Sequence, residues 1–446
     1  MVRLRHVVAL SSALVVSAAP LAVAQSPTVT EAVESFTYTQ NMHPLGYSPR
    51  IVPFSGPGSG VFNSDLAFWG RLGFQGTYEG FRVIDISAPG NPKEIVNFTD
   101  CVEGTTTGNQ GDVIVWGDIL VRSWNSPAPA GGRFCGGIFT PAGQEGVHIF
   151  DISDPANPVG LAFVSSPGGS HTATGVPDLA NNRLLVYNSP SSGTAANEGI
   201  HIIEVPLDDP ASASYIRRES AGRSCHDTGV ILGDAMLAAC AGGNGATVWS
   251  MDPADGGSLT DPAMLWSTSI PGVTIGHTAS FSYDGEVLIF GHEPGGGGQA
   301  RCQASSAEID KTMFFFDARS GVEVGRWVHP RPQTNTENCT IHNLNVVPTD
   351  KGRVLVHGSY QSGIGVLDFT DPANAVEIAY ADPDPLSESS LVLGGDWSTY
   401  WYNGLIYQSD IRRGFIVWNL SDQAVAGAKK LTHNNPQTQE FTLPLK

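Results

Sequence analysis

Four histidines in this 446-residue sequence have similar neighbours, and each comes just before a short run of β-forming residues. They occur in the segments GSHTATGV, SCHDTGVI, IGHTASFS and TIHNLNVV. Imidazole nitrogen is the usual protein ligand for divalent transition metals such as zinc, manganese, copper and iron. Four such side chains brought together by the fold would bind one of these ions; the alternative is that they fill a wet channel by hydrogen bonding. The four residues are His171, His226, His277 and His342.

Three further segments carry an aspartate where these four carry a histidine. Asp65 lies in NSDLAFWG, Asp112 in NQGDVIVW and Asp396 in GGDWSTYW. The distance to the following turn aligns Asp396 with the histidines, whereas Asn63 or Gln110 could take the places of the first two. The pattern therefore predicts seven equivalent positions, of which four are histidines.

Candidate catalytic groups are polar residues expected close to this set. His292 and His357 each end the second strand of their unit, which returns to the same face, so they could carry protons for a substrate. Glu293 is expected on the same rim. Asp396 or Asp227 could act as ligand, orienting group or base. We predict His292, His357 and Asp396 as the catalytic residues.

All six cysteines lie after the N-terminal region, and an even number in an exported chain indicates disulfides. Sequential pairing is the simplest of the possible connectivities. Cys225 directly precedes His226, so the alternative is that its thiolate is a metal ligand. The predicted pairs are Cys101 with Cys135, Cys225 with Cys240, and Cys302 with Cys339.

The elements that must position these residues come from an internal repeat. GFRVIDISAPGNP, GVHIFDISDPANP and GIGVLDFTDPANA are three clear copies, and four weaker copies bring the number to seven. Valine, isoleucine and phenylalanine favour a buried strand. The following proline and aspartate or asparagine residues favour a turn, because proline fixes φ and the acidic or amide side chain bonds its own backbone.

Each unit of roughly 50 residues has room for four short antiparallel strands, and such a sheet cannot bury both faces alone. Seven sheets arranged radially can, whereas a solenoid would have shorter and more regular repeats. The sequence therefore predicts an all-β fold, a seven-bladed β-propeller of four-stranded antiparallel blades over residues 61–446. Residues 25–60 are predicted to form an arm that supplies a closing strand to the last blade.

The segments FRVIDIS, VHIFDIS and IGVLDFT with their DPxNP-like turns resemble the LVIVD-repeat family of exported bacterial propellers. The resemblance covers roughly residues 61–433. It implies a propeller fold and little chemistry, because most members of that family have no assigned function.

The N-terminus predicts export. Residues 1–24 have a basic start, an apolar run and the small residues AVA before Gln25, which is typical of a cleaved signal peptide. The run is too short to predict a membrane span. The net charge of −19 argues against nucleic acid, whose binding depends on lysine and arginine. We expect a secreted, periplasmic or cell-surface monomer that does not span a membrane.

Two functions are compatible with these features. The first is a metal-dependent enzyme, a hydrolase, lyase or oxidase, acting on a small molecule or carbohydrate at the channel mouth. The second is a non-catalytic propeller that binds a surface protein or acts as a scaffold. Trp397, Trp401 and Tyr402 could stack on a sugar ring, but such aromatic residues more often form blade core.

Overall fold

Seven small antiparallel sheets arranged around a central channel form this protein, in a computed structural model that describes residues 27–52, 61–101, 110–190 and 197–446. The predicted all-β, seven-bladed propeller is confirmed. Within the described ranges one α-helix occurs, α1 (Val29–Ala32). The remaining helical turns are short 3₁₀ segments: Leu179–Asn181, Pro210–Ser212, Pro253–Asp255, Glu308–Lys311, Pro372–Asn374 and Gln423–Val425.

The N-terminal part of the chain adds strands to the end of the ring. β1 (Phe36–Tyr38) lies along the outer edge of blade six, and β2 (Met42–Pro49) is the outermost strand of blade seven. The predicted signal peptide lies outside the described residues, and so do positions 25–26 and 53–60 of the predicted arm. Searched over the described residues, no helix is long and apolar enough to cross a bilayer.

In blades one to three, strands follow one another from the channel outwards, and blade two carries an extra hairpin, β9 with β10. Their strands are β3 (Asn63–Trp69), β4 (Leu72–Thr77), β5 (Gly80–Asp85) and β6 (Lys93–Phe98); β7 (Val113–Trp116), β8 (Ile119–Trp124), β9 (Arg133–Cys135), β10 (Ile138–Thr140), β11 (Gly146–Asp151) and β12 (Val159–Ser165); β13 (Thr172–Asp178), β14 (Arg183–Ser189), β15 (Ile200–Pro206) and β16 (Ser214–Glu219).

Blades four to seven repeat this order, and in blade seven β2 replaces a fourth strand from the C-terminal side. Their strands are β17 (Asp227–Ile231), β18 (Leu237–Gly242), β19 (Gly245–Ser250) and β20 (Ala263–Ser269); β21 (Gly276–Phe281), β22 (Val287–His292), β23 (Thr312–Asp317) and β24 (Glu323–Val328); β25 (Leu344–Val346), β26 (Val354–Gly358), β27 (Ile364–Asp368) and β28 (Val376–Pro383); β29 (Asp396–Tyr402), β30 (Leu405–Asp410) and β31 (Gly414–Leu420).

The core lies between neighbouring blades, which explains the sequence of the repeat. The third strand of a blade is covered on both faces, so nearly all of β5 and β11 is buried. The outermost strand β6 is largely exposed. The repeated aspartate closes the turn after the third strand: Oδ1 of Asp85 accepts a hydrogen bond from the Ser87 amide at 2.8 Å.

The three sequential cysteine pairs predicted from the sequence lie at disulfide distance. Cys101 and Cys135 tie the end of blade one to the extra hairpin, and their Cα atoms are 4.2 Å apart. Cys225 and Cys240 link the start of blade four to its second strand (Cα atoms 5.2 Å apart). The third pair is Cys302 with Cys339.

The last residues cross the channel, which no repeat signal indicated. β32 (His433–Asn434) pairs with β3 in blade one, and β33 (Thr438–Gln439) pairs in parallel with β17 in blade four. The Asn435 side chain binds both the amide and the carbonyl of Val115 in blade two (2.9 Å each). Residues 433–446, here called the C-terminal segment, thereby tie blades across the ring together.

Candidate metal centre

The four predicted ligand histidines meet in the channel. His171 and His226 come immediately before the innermost strands of blades three and four, His277 lies at the start of the innermost strand of blade five, and His342 lies two residues before that of blade six. Successive rings have centroids 4.3, 4.0 and 4.3 Å apart. These four side chains are called the histidine ring below.

Each histidine of the ring has a hydrogen-bond partner on Nδ1. In His226, His277 and His342 that partner is an oxygen, which can accept from Nδ1 and leaves the lone pair of Nε2 for the channel, whereas the Asn125 amide donates to Nδ1 of His171. Nε2 of His171 and Nε2 of His226 are 2.8 Å apart, so they face one another. An Nδ1 hydrogen bond to a carboxylate, hydroxyl or carbonyl orients a metal-ligating imidazole. The Nδ1 partners are the side chains of Asn125 at 3.0 Å from His171, Asp227 at 3.1 Å from His226 and Thr278 at 2.7 Å from His277, and the carbonyl of Trp397 at 2.6 Å from His342.

Glu293 joins the histidine ring from the mouth of the channel. Its Oε2 lies 3.8 Å from Nε2 of His277, and its Oε1 lies 3.7 Å from Nε2 of His342. Tyr360 donates a hydrogen bond to Oε1 at 2.6 Å. One ligand atom each from His226, His277 and Glu293 lies within 4.8 Å of the others, so these three residues can hold one ion.

Burial keeps most of the histidine ring neutral. It lowers the pKa of His342 to about 3, and it lowers the pKa of His171 and His277 well below the ordinary value, with the charges of neighbouring histidines adding to the effect. Burial also opposes protonation of His226, but the hydrogen bond and charge of Asp227 outweigh it and raise the pKa. Neutral imidazole is the form that binds metal.

Burial also changes the acidity of Glu293. Burial raises the pKa of this carboxyl to about 7, although the charge of His226 and the Tyr360 hydrogen bond act in the opposite direction. A carboxyl with a pKa near neutral pH suits general acid–base chemistry.

A cavity of 450 Å³ opens above the histidine ring and gives a substrate access to it. A smaller space of 20 Å³ also touches the ring and is lined by Asp112 and Gln437. Since Gln437 belongs to the C-terminal segment, that segment closes the channel beside the ring. The walls of the larger cavity include Tyr78, Gln110, Glu293, Tyr360, Leu393 and Trp397.

The three predicted catalytic residues lie apart from the cavity lining. His292 points between blades, where Nδ1 faces the Ile309 carbonyl at 3.1 Å. His357 is fully buried, with Nδ1 at 2.9 Å from the Ser359 hydroxyl. The carboxylate of Asp396 accepts hydrogen bonds from Thr399 and Gln408 within blade seven.

The predicted catalytic residues lie apart from the cavity because side chains alternate between the two sides of a strand. His292 and Glu293 are consecutive, and Glu293 is the one that faces the channel. Likewise Trp397, not Asp396, lines the cavity, and its ring lies 5.2 Å from that of His342. The alignment of Asp396 with the histidines is therefore wrong by one residue. The expected place of Glu293 near the histidine ring is therefore confirmed, whereas Trp397 could have been chosen over Asp396 only by knowing which residue of the pair faces the channel.

The remaining predicted positions divide between channel and core. Gln110 and Asp112 line the spaces around the histidine ring. Asp65 is buried and accepts hydrogen bonds from Ser398 and Tyr400. Trp401 and Tyr402 pack in the core between blades, whereas Trp397 reaches the cavity.

The described geometry defines the class of protein, a β-propeller. Comparison with solved structures finds similarity at the level of the fold. A protein from Lactobacillus plantarum is 11% identical, with 86% of this chain and 97% of that chain covered and a TM-score of 0.51, which shows the fold alone. The computationally designed Ika8 protein (11% identity, 83% and 100% covered, TM-score 0.45) and the Dos1 propeller (10%, 81% and 79%, TM-score 0.47) are less similar.

No family model matches the sequence, and no curated protein matches it either.

Proposed function

We propose that this chain is a metal-dependent enzyme whose histidine ring, with Glu293, binds one divalent transition metal. The observation that carries the proposal is the double role of three imidazoles, those of His226, His277 and His342: Nδ1 has an oxygen partner, and Nε2 is directed to the channel. Independent core histidines would have no reason to repeat this arrangement in three consecutive blades. Histidine with one carboxylate suits zinc, iron, copper or manganese.

The proposed chemistry is hydrolysis or elimination on a small molecule in the 450 Å³ cavity. A divalent ion held by the ring would supply Lewis acidity to a substrate oxygen. Glu293 would contribute Oε2 to the ligand set, because this atom lies 3.8 Å from Nε2 of His277. Tyr360 holds Oε1 and so keeps Oε2 directed towards the ring.

We further propose that the chain is exported and belongs with the LVIVD-repeat propellers. Support comes from the N-terminal signal-peptide pattern, from three cysteine pairs at disulfide distance and from the repeat segments. Protein secreted from its host should begin at Gln25, which N-terminal sequencing measures.

Metal analysis tests the enzyme proposal. Protein purified without chelators is expected to contain a stoichiometric divalent ion by mass spectrometry. The double change His226→Ala and His277→Ala should abolish binding and leave the β-type circular dichroism spectrum intact, because both imidazoles face the channel. The exposed His43→Ala is the matched control and should keep the ion. Wild-type protein without metal would favour the non-catalytic binding propeller instead.

A further inference from the structure

Three aromatic side chains form a corner in the wall of the cavity. The ring of Trp397 stands perpendicular to that of Tyr78 (89°, centroids 6.1 Å apart) and to that of Tyr360 (87°, 6.5 Å). Phe62 packs behind Tyr78 at 5.2 Å and fixes its orientation. Leu393 extends the apolar surface. A rigid corner of flat faces and edges suits a planar ring, which packs edge-to-face or offset against aromatic neighbours.

Tyr360 is held in this corner by an unusual backbone conformation. Its φ is 55°, a left-handed value that is rare for a bulky residue and persists only where the surroundings impose it. Gly395 allows the close approach, since a Cβ there would lie 2.1 Å from the Tyr360 carbonyl oxygen. Gly297 leaves room for the hydroxyl in the same way. The corner is therefore preorganised rather than formed on binding.

The charges around the cavity disfavour an anionic ligand in protein without a bound ion. Among the described lining residues, Glu293 is the one carboxylate and there is no lysine or arginine. A carboxylate or phosphate group would therefore lie beside Glu293 without a lysine or arginine to pair with it, which is costly in a largely buried site.

One polar atom in the wall of the cavity, Oε2 of Glu293, can accept a hydrogen bond from a ligand. Oε1 of Glu293 already accepts the Tyr360 hydrogen bond, while Oε2 faces the cavity beside His277. A hydroxyl group on the ligand can donate to Oε2 while its ring packs into the corner. The volume of 450 Å³ lies in the usual range for small-molecule sites.

We infer that the cavity binds an aromatic molecule that carries a hydroxyl group and no anionic group, a phenol or aromatic alcohol, with its ring in the corner of Tyr78, Trp397 and Tyr360. This inference rests on the proposed function only in that the cavity is the proposed substrate site. It replaces the broader expectation of a small molecule or carbohydrate.

Calorimetric titration with four probes tests the ligand class. The probes are 4-methylphenol, toluene, 4-toluenesulfonate and methyl β-glucoside, each added to chelator-treated protein. 4-Methylphenol should bind at least tenfold more tightly than each of the others, because toluene lacks the hydroxyl, the sulfonate is charged and the sugar lacks a flat ring. Equal or tighter binding of the sulfonate or the glucoside, or no binding of 4-methylphenol, would overturn the inference.

A pair of variants assigns the binding to the corner. Trp397→Leu keeps an apolar side chain but removes the ring, and should weaken 4-methylphenol binding at least tenfold. Trp266→Leu, on the outer strand β20, is the matched control and should change it less than twofold. An unchanged affinity in Trp397→Leu contradicts the inference.

The two proposals fail in different ways. Binding of 4-methylphenol by protein that takes up no zinc supports the aromatic site and contradicts the metal centre. Stoichiometric zinc with no preference for 4-methylphenol supports the metal centre and contradicts the aromatic site.

Discussion

At the residue scale, the partner of each imidazole matters as much as the imidazole. Asp227 hydrogen bonds Nδ1 of His226 at 3.1 Å and its other oxygen lies 4.0 Å from Nδ1 of His277, so one carboxylate faces two proposed ligands. Groups of this kind fix the orientation and basicity of ligating histidines. The sequence placed Asp227 beside His226 but could not show that its side chain also approaches the next blade.

Replacing Asp227 by asparagine should weaken metal binding while leaving all proposed ligands in place. Loss of the carboxylate charge lowers the basicity of His226, and changes of such partners typically cost about 10- to 100-fold in affinity. Competition with a chromophoric zinc chelator measures the change. Asp234→Asn, in the exposed turn after β17, is the control; an affinity equal to wild type in Asp227→Asn would show that Asp227 has no part in the centre.

A second residue-scale prediction concerns His357, which lies fully buried away from the cavity. Burial lowers its pKa to about 3, from an ordinary value of 6.5. Below pH 6.5 the unfolded chain therefore binds a proton that the folded chain does not, so stability falls as the pH drops from 6.5 towards 3. By pH 5 this amounts to about 2 kcal/mol at ~1.4 kcal/mol per unit.

Urea unfolding at pH 7.5 and pH 5 tests this contribution. In His357→Gln the free energy of unfolding should fall by about 2 kcal/mol less between the two pH values than in wild type, because the titrating group is gone. His43→Gln, at an exposed site, should follow the wild-type profile. The same acid loss in His357→Gln as in wild type would show that other groups account for it.

At the element scale, the repeat explains why the sequence predicted the blades and not the details within them. Two-sided burial makes the third strand apolar along its length, and in four blades an aspartate closes the turn that follows, namely Asp85, Asp151, Asp317 and Asp368. The hairpin of β9 and β10 has no counterpart in other blades, so no periodic signal marks it. The one-residue error at Asp396 arises because the sequence of a strand does not show which of its alternating side chains face the channel.

The Cys225–Cys240 pair provides the element-scale prediction. The pair spans 15 residues and fixes the start of β17, where His226 lies. A cross-link across a loop of this length contributes about 3 kcal/mol in the chain-entropy description. The double change Cys225→Ala and Cys240→Ala should lower the free energy of unfolding by about 2–4 kcal/mol, measured with urea.

Non-reducing peptide mapping provides the companion result. Cys225 should resist alkylation and appear in a peptide joined to Cys240. An alkylatable Cys225 in the native protein would instead favour its alternative role as a thiolate ligand beside His226.

At the scale of the whole molecule, the C-terminal segment acts on several blades at once. It pairs with β3 and β17, binds Val115 in blade two, and donates from the Thr438 hydroxyl to the Gly175 carbonyl in blade three (2.7 Å). Because these contacts join blades that are distant in sequence, the segment stabilises the ring as a unit.

Truncation after residue 432 should therefore destabilise the entire propeller and not one blade. We expect a Tm lower by several degrees with a single calorimetric transition, since about 1 kcal/mol shifts Tm by roughly 2–4 °C in large domains. Pro444→Ala, at an exposed position of the segment, should leave Tm almost unchanged. A truncated protein with the wild-type Tm would mean that the blades are stable without this segment.

The strand β2 has a consequence for how the chain folds. His43 and Ser421, which are hydrogen bonded at the closure of blade seven, are 378 positions apart along the polypeptide. Pairings so remote are slow to form, because a long loop must be closed before they stabilise anything. Blade seven cannot be completed until β31 has been synthesised, so folding is expected to end, rather than begin, with the N-terminal strand.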